Sequence, residues 1–388
     1  MNRTHVGRAR ALAFVGSAAL VALALAGCDA TSSTASSTST STSTTGTGLA
    51  AQVQKLEQPL KSWPIPTDKV TNADALKGKT VYYIPITLQA PEFGTIQTAF
   101  TAAVAALGGK VQVCDGQGTP TSISACVTQA TNAKAAAIVA DAIQYEIAGN
   151  AFTAAQAAGV PVIIADQAAE SAHPDSKTLA TITGPVGNAM DEALAKWTVV
   201  DSKSKADVLA NVSADGSSPA NYFASAQKVF SACSGCTVTV NKVSSGNFPL
   251  VAPSTSSALL KDSSVGYLQV QFAQFLQASQ GGVQAAGKGS SIKVTTGAAQ
   301  LGELQAVKAG TVAAAASPSG AFEGWIFADA ALRLIGGDTI PDYTVPMRLF
   351  TANNIGSITL TADAMNTGAW YGPSSSFSDG FKTLWGVN

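Results

Sequence analysis

The apolar positions of this chain fall into short unbroken runs that alternate with longer stripes of helical spacing. In residues 80–94 (TVYYIPITLQAPEFG) a run rich in β-branched and aromatic side chains stops at a small polar turn, the pattern of a parallel strand buried on both faces. Phe93, Ile96, Phe100, Val104 and Leu107 then recur at three- and four-residue spacing, which predicts a helix with one apolar stripe. The alternation continues with strands predicted at 110–114, 135–140 and 160–165, and helices at 121–132 and 147–158. An extended stretch follows at 178–183. Strand–helix units in this order predict a doubly wound parallel sheet of the α/β class.

The same pattern then begins again. Helices are predicted at 188–200, 221–231 and 272–286, with strands at 207–212, 237–243, 265–270 and 292–296. Residues 313–316 lead through Ser317-Pro318-Ser319-Gly320 into an amphipathic helix at 321–335, closed by Gly336-Gly337. Two sheets of one pattern predict two similar lobes. Ligands of open α/β sheets bind beyond the carboxyl ends of the strands, so the turn at 89–93 is the first place to expect contacts.

The ends of the chain read differently. Arg3, Arg8 and Arg10 precede an apolar segment, 11–26, that ends in Leu25-Ala26-Gly27-Cys28. A basic start, an apolar middle and small residues before the cut mark a secretory signal over 1–27. The LAGC ending resembles a bacterial lipobox, which implies cleavage before Cys28, lipidation of its thiol and anchoring at the outer face of the cell membrane. Residues 31–48 are almost wholly Ser, Thr and Gly, and are expected to form a disordered tether over 28–48. Residues 49–79, with Pro59, Pro64 and Pro66, are expected to be an irregular lead-in with low helix content.

Charge and motifs narrow the function. A net charge of -1 and 12% charged residues over 388 residues lack the basic footprint of a nucleic-acid binder. No GxSxG, HExxH or P-loop occurs, and His173 is the only histidine after the signal, so no catalytic residue, metal or cofactor is expected. An exported compartment permits disulfides, and the simplest pairing is local, Cys114 with Cys126 and Cys233 with Cys236. The Cys233–Cys236 spacing also fits a redox or zinc motif, although it closes a helix instead of opening one.

The ordered set of QAPEF after the first strand, VPVIIADQ at the fourth, ITGPVGNAM, VQAAG, AVKAGTVAAA and VPMRLFTANNI resembles the ribose-type, sugar-binding branch of the solute-binding lipoproteins of ABC importers. That family has the type I periplasmic-binding fold. The resemblance implies two lobes joined by a three-segment hinge, with crossovers near 178–183, 315–320 and 345–350. The first lobe would hold 70–180 and 318–346, the second 181–317 and 347–388, with 49–69 leading in. It also implies a small solute clamped between the lobes and delivered to a membrane permease, and we expect a monomer.

Carried over residue by residue, the family's contacts fall on Ala90, Glu92 and Phe93 in the first loop, where the strand-end rule adds Gln89, and on Asp166 and Gln167 after the fourth strand. In the second lobe they fall on Asn221, Phe248 and Phe272, with Gln271 beside it, and on Ala298. Asp141 joins them as a strand-end carboxylate. Gln167, Asn221 and Ala298 stand where the family has Arg, Arg and Asp, so an anionic ligand is disfavoured and a neutral one expected, a sugar held by amides or a more apolar or aromatic compound. Each position also has a plainer use: Phe93, Phe248 and Phe272 as core, Asp141 and Asp166 as turn or cap acceptors, Asn221 as a helix-start residue. Two other functions fit the pattern, an exported hydrolase using Asp141 and Asp166 and a ligand sensor for a membrane receptor.

Overall fold

The structure, a computed structural model describing residues 44–184 and 186–387, turns the alternating pattern into two α/β sheets. The chain enters through helix α1 (Thr44–Leu56) and then lays down β1 (Thr80–Pro85), α2 (Pro91–Ala106), β2 (Lys110–Val113), α3 (Pro120–Asn132), β3 (Ala137–Asp141), α4 (Gly149–Ala157), β4 (Val162–Ala165) and β5 (Leu179–Ile182). The strand order is β2-β1-β3-β4-β5, and every neighbouring pair is parallel. Strands β1, β3 and β4 are buried almost throughout, because helices cover both faces, and so they read as continuous apolar runs. The edge strand β2 alternates exposed and half-buried positions instead.

The second half gives α5 (Val186–Asp201), β6 (Asp207–Ser213), α6 (Ser218–Ser231), β7 (Thr237–Val243), α7 (Val251–Lys261), β8 (Tyr267–Val270), α8 (Leu276–Ala285), β9 (Lys293–Gly297), α9 (Leu301–Ala309) and β10 (Ala314–Pro318). After these come α10 (Gly320–Gly336), β11 (Met347–Thr351), α11 (Ala362–Asn366) and α12 (Ser376–Trp385). The order is β11-β10-β9-β8-β6-β7. Only the β10–β11 edge is antiparallel among the described strands. In each sheet the order reverses once, between β1 and β3 and between β6 and β8, and such a switch point opens a crevice at the carboxyl ends.

The chain passes between the sheets from β5 to α5, from β10 to α10 and from α10 to β11. Helix α10 lies on α2, on the first sheet's side. The approach depends on Gly324, where a Cβ would stand 2.5 Å from the Phe100 nitrogen and 2.7 Å from the Ile96 carbonyl oxygen.

Both chain ends depart from expectation. Helix α1 occupies residues expected to be tether and irregular lead-in, and its Val53 is buried in a cluster with Met190, Ala193, Leu194 and Trp197 of α5. The prolines at 59, 64 and 66 follow this helix and do not interrupt it. At the other end, 347–388 was expected to sit wholly with the second lobe, but α12 packs on α10: Trp385 stacks on Trp325 with centroids 5.4 Å apart, and Phe381 meets Phe322 at 5.6 Å. The two ends are also stitched together, Arg348 Nε donating to the Glu57 carbonyl at 3.0 Å and Trp63 Nε1 to that of Pro373 at 2.8 Å. Cys114 is bonded to Cys126 and Cys233 to Cys236. The signal segment, Cys28 and the tether before Thr44 lie outside the described residues.

Candidate functional site

A cavity of about 1110 Å³, its open mouth included, lies where the carboxyl ends of the two sheets face each other. Ile86 and Thr87 reach it from the end of β1, Ala142 and Gln144 from β3, and Asp166 and Gln167 from β4. Across from them stand Ser213 and Asp215 at the end of β6, Phe272 after β8, and Ala298 after β9. The backbone turns sharply at these ends. Ala142, Asp166, Thr183 and Ala298 follow β3, β4, β5 and β9 with φ of 56°, 55°, 69° and 52°. Non-glycine residues held in the left-handed region carry strain, and such residues cluster at ligand clamps.

Hydrogen bonds join the two sides around the cavity. Gln144 Nε2 donates to Ser217 Oγ at 2.7 Å and to Ser218 Oγ at 3.0 Å, Ser218 Oγ donates to Gln167 Oε1 at 2.5 Å, and Tyr222 Oη donates to the Asp166 carbonyl at 2.7 Å. Gly187 makes room for that tyrosine: a Cβ there would stand 2.3 Å from its ring.

Of the residues expected from the sequence, Glu92, Phe93, Asp166, Gln167, Phe272 and Ala298 line this cavity. Gln89 and Phe248 instead share a smaller pocket at its edge, together with Thr87, Ser245 and Gln274. Ala90 is buried at the start of α2. Asn221 is exposed, and its helix neighbour Tyr222 faces the cavity instead, because one residue along a helix turns the side chain by about 100°. Gln271 is fully buried with its amide already engaged: Nε2 donates to Asp191 Oδ2 at 2.7 Å and to the Pro219 carbonyl at 2.8 Å, and Oε1 accepts from Ser213 N at 3.0 Å. It supports the loop after β6 and does not line the cavity.

Asp141 also lies beneath the cavity wall. It is fully buried, and its Oδ2 accepts from Tyr83 Oη at 2.6 Å. Burial, then the charge of Asp166, holds its carboxyl well above the usual range. Asp166 is raised as well, by burial, against the opposing effect of Thr183 Oγ1, which donates to its Oδ1 at 2.5 Å. Burial pushes Glu92 up to about 7, with Glu303 and Asp166 adding to it. Glu323 is pushed well up by burial and then by Asp166, Asp141 and Glu92.

Sequence reasoning passed over Glu323, Tyr222, Met190 and Gln144, all of which line the cavity. A signal existed only for Glu323, a lone carboxylate inside the otherwise apolar AFEGWIF of α10.

The sequence model of the periplasmic binding protein domain family matches residues 81–339. No curated protein matches the chain. Among solved structures, the chain is similar to an ABC transporter solute-binding protein from Agrobacterium vitis, bound with alpha-D-tagatopyranose, at 17% identity and a TM-score of 0.65, covering 73% of this chain and 97% of that one. The 5-methylthioribose transporter solute-binding protein from Thermotoga lettingae, in complex with 5-methylthioribose, matches at 14% identity and a TM-score of 0.66, covering 83% and 100%. A solute-binding protein from Mycobacterium smegmatis with bound glycerol matches at 16% and 0.65, covering 74% and 98%.

Proposed function

The chain belongs to the periplasmic binding protein domain family, and on that premise we propose that it captures a small, sugar-like solute between its lobes and delivers it to an ABC permease. The observation that carries this reading is a cavity at the carboxyl ends of both sheets, closed by hydrogen bonds running from Gln144, Gln167 and Asp166 on one side to Ser217, Ser218 and Tyr222 on the other. Bonds that bridge two sheets joined only by crossing segments are suited to open and re-form as a hinge moves. The structural neighbours bound with tagatopyranose, methylthioribose and glycerol support the class of solute.

In this reading residues 70–180 with 318–346 form one lobe, and 181–317 with 347–388 the other, α12 reaching back onto the first. Cys28 carries the lipid that holds a monomer at the outer face of the membrane. Glu92, Phe93, Asp166, Gln167, Phe272 and Ala298 touch the solute, and Gln89 and Phe248 form the rim. Capture is favoured over hydrolysis because Asp141, the second carboxylate such a reaction would pair with Asp166, is sealed from solvent beneath the wall.

The test is identification by mass spectrometry of the small molecule that copurifies, followed by a thermal screen of sugars and polyols. A bound solute at a hundred times its Kd stabilises the native state by about 2.7 kcal/mol, and Phe93→Ala should diminish that shift. Turnover of a screened compound, or no shift with any small molecule, would overturn the reading.

A further inference from the structure

Four carboxyl groups line the cavity, those of Glu92, Asp166, Asp215 and Glu323, and among its described lining residues there is no Lys, Arg or His to answer them. Asp215 is engaged locally, accepting from Ser244 Oγ at 2.5 Å and from Ser245 N at 2.9 Å, which leaves the other three. Glu323 is 1% exposed, yet its Oε1 has no hydrogen-bond partner, and Glu92 Oε2 is likewise buried without one. Asp141 lies behind them with Oδ1 also unpartnered. A carboxylate removed from water keeps its proton or meets a positive charge, because the bare anion in a low-dielectric site is strongly disfavoured. The cavity is therefore poor in internal compensation and rich in acceptors.

The remaining wall indicates which kind of cation fits. Phe93, Tyr222 and Phe272 bring three aromatic residues to the wall of the same cavity, which Ile96 and Met190 also line. Ring faces attract an ammonium, most strongly where water is excluded. Among the described residues no three acidic, histidine or cysteine side chains converge in an arrangement that could hold a metal ion, so an organic cation fits the wall better than a metal.

We propose that the captured solute is a sugar-sized molecule carrying an ammonium group, held by Glu92, Asp166 and Glu323 against the rings of Phe93, Tyr222 and Phe272. The proposal rests on the capture reading and names its substrate class. The charges of Asp166, Asp141, Glu323 and, from α9, Glu303 all bear on Glu92, and every one of them is acidic. Seating a cation then displaces protons from this cluster, and affinity for an amine rises with pH through the range in which Glu92 titrates.

The experiment uses matched pairs: 1-amino-1-deoxyglucitol with glucitol, glucosamine with glucose, and phenethylamine with 2-phenylethanol, each titrated calorimetrically at pH 6 and pH 8 into the whole protein stripped of bound solute. At least one amine is expected to bind about tenfold or more tighter than its hydroxyl twin, the worth of about one charge-assisted contact. The aminoglucitol and phenethylamine, which stay protonated, should bind more tightly at pH 8. In Glu323→Gln and Glu92→Gln, each checked for folding by circular dichroism, the amine's advantage should collapse. Twins that bind as well as the amines, or an advantage that survives both variants, would overturn the ammonium and leave capture standing. No binding by any member would overturn both. If either variant fails to fold, the wild-type pairs alone decide.

Discussion

Helix α10 carries two buried acids that the protein treats in opposite ways. Asp329 is fully buried and fully partnered: Arg333 Nε donates to its Oδ2 at 2.8 Å, Tyr343 Oη to the same oxygen at 2.6 Å, and Trp385 Nε1 to Oδ1 at 2.7 Å. Arg333 in turn donates to the carbonyls of Thr339 and Asp68. Glu323 on the same helix has an oxygen with no partner and, in place of an arginine, three more carboxyls around it. Burial alone therefore does not distinguish an acid that holds the fold together from one that awaits a ligand. Their partners do, and those of Asp329 come from α10 itself (Arg333), from the loop before β11 (Tyr343) and from α12 (Trp385).

The largest expected effect separates the two directly. Asp329→Ala leaves the Arg333 guanidinium buried without its counter-charge and should cost about 3–5 kcal/mol of stability, read as a lower urea midpoint. Glu323→Gln replaces a buried carboxyl that has an unpartnered oxygen by an amide that cannot ionise, and should leave stability unchanged or raised by about 1 kcal/mol. A loss from Glu323→Gln matching that from Asp329→Ala would mean that Glu323 has a structural partner and would erase the distinction.

The second effect is a pH slope. Glu92 rises from 4.5 to about 7 and Asp191, under the second sheet, from 3.8 to about 7, both chiefly through burial. Between the ordinary and the raised values the folded protein binds more protons than the unfolded chain, so these two groups make stability fall as pH rises through that window, and Asp141 and Glu323, raised well above the usual range, add to the decline with the same sign. Glu92→Gln should flatten part of the decline, leaving the part due to Asp191, Asp141 and Glu323. Denaturation midpoints that instead climb between pH 5 and 7 would show the cavity acids to be ionised and compensated in the folded protein.

Much of this architecture was legible because its strands are buried on both faces. A run such as Val162–Ala165 cannot be mistaken for a surface strand, and the turns after it mark the carboxyl ends where the cavity forms. Helix α1 was not legible, because what anchors it is distant in sequence, Val53 being buried against α5, while the prolines just after it carry a local signal for irregular backbone. The candidate site was legible by loop but not by phase. The sequence led to the start of α6 and to Asn221, whereas the helix turns Tyr222 inward. Glu323 escaped for a related reason: α10 is buried all round, so its apolar pattern announces a core helix, and nothing local says that one side of it borders a cavity.

The smallest effect tests whether the Asp329 network is as closed as its geometry indicates. Trp385→Phe keeps an aromatic ring against Trp325 and Phe381 but removes the donor to Asp329 Oδ1. A neutral donor to a buried carboxylate contributes about 1–2 kcal/mol net, so the urea midpoint should fall by a fraction of the Asp329→Ala loss. The slope of the transition should not change, because the surface exposed on unfolding is nearly the same. Were the substitution silent, water would have to reach Oδ1 in the variant. Asp329 would then be an acid at an accessible surface, and the contrast with Glu323 would rest on Arg333 alone.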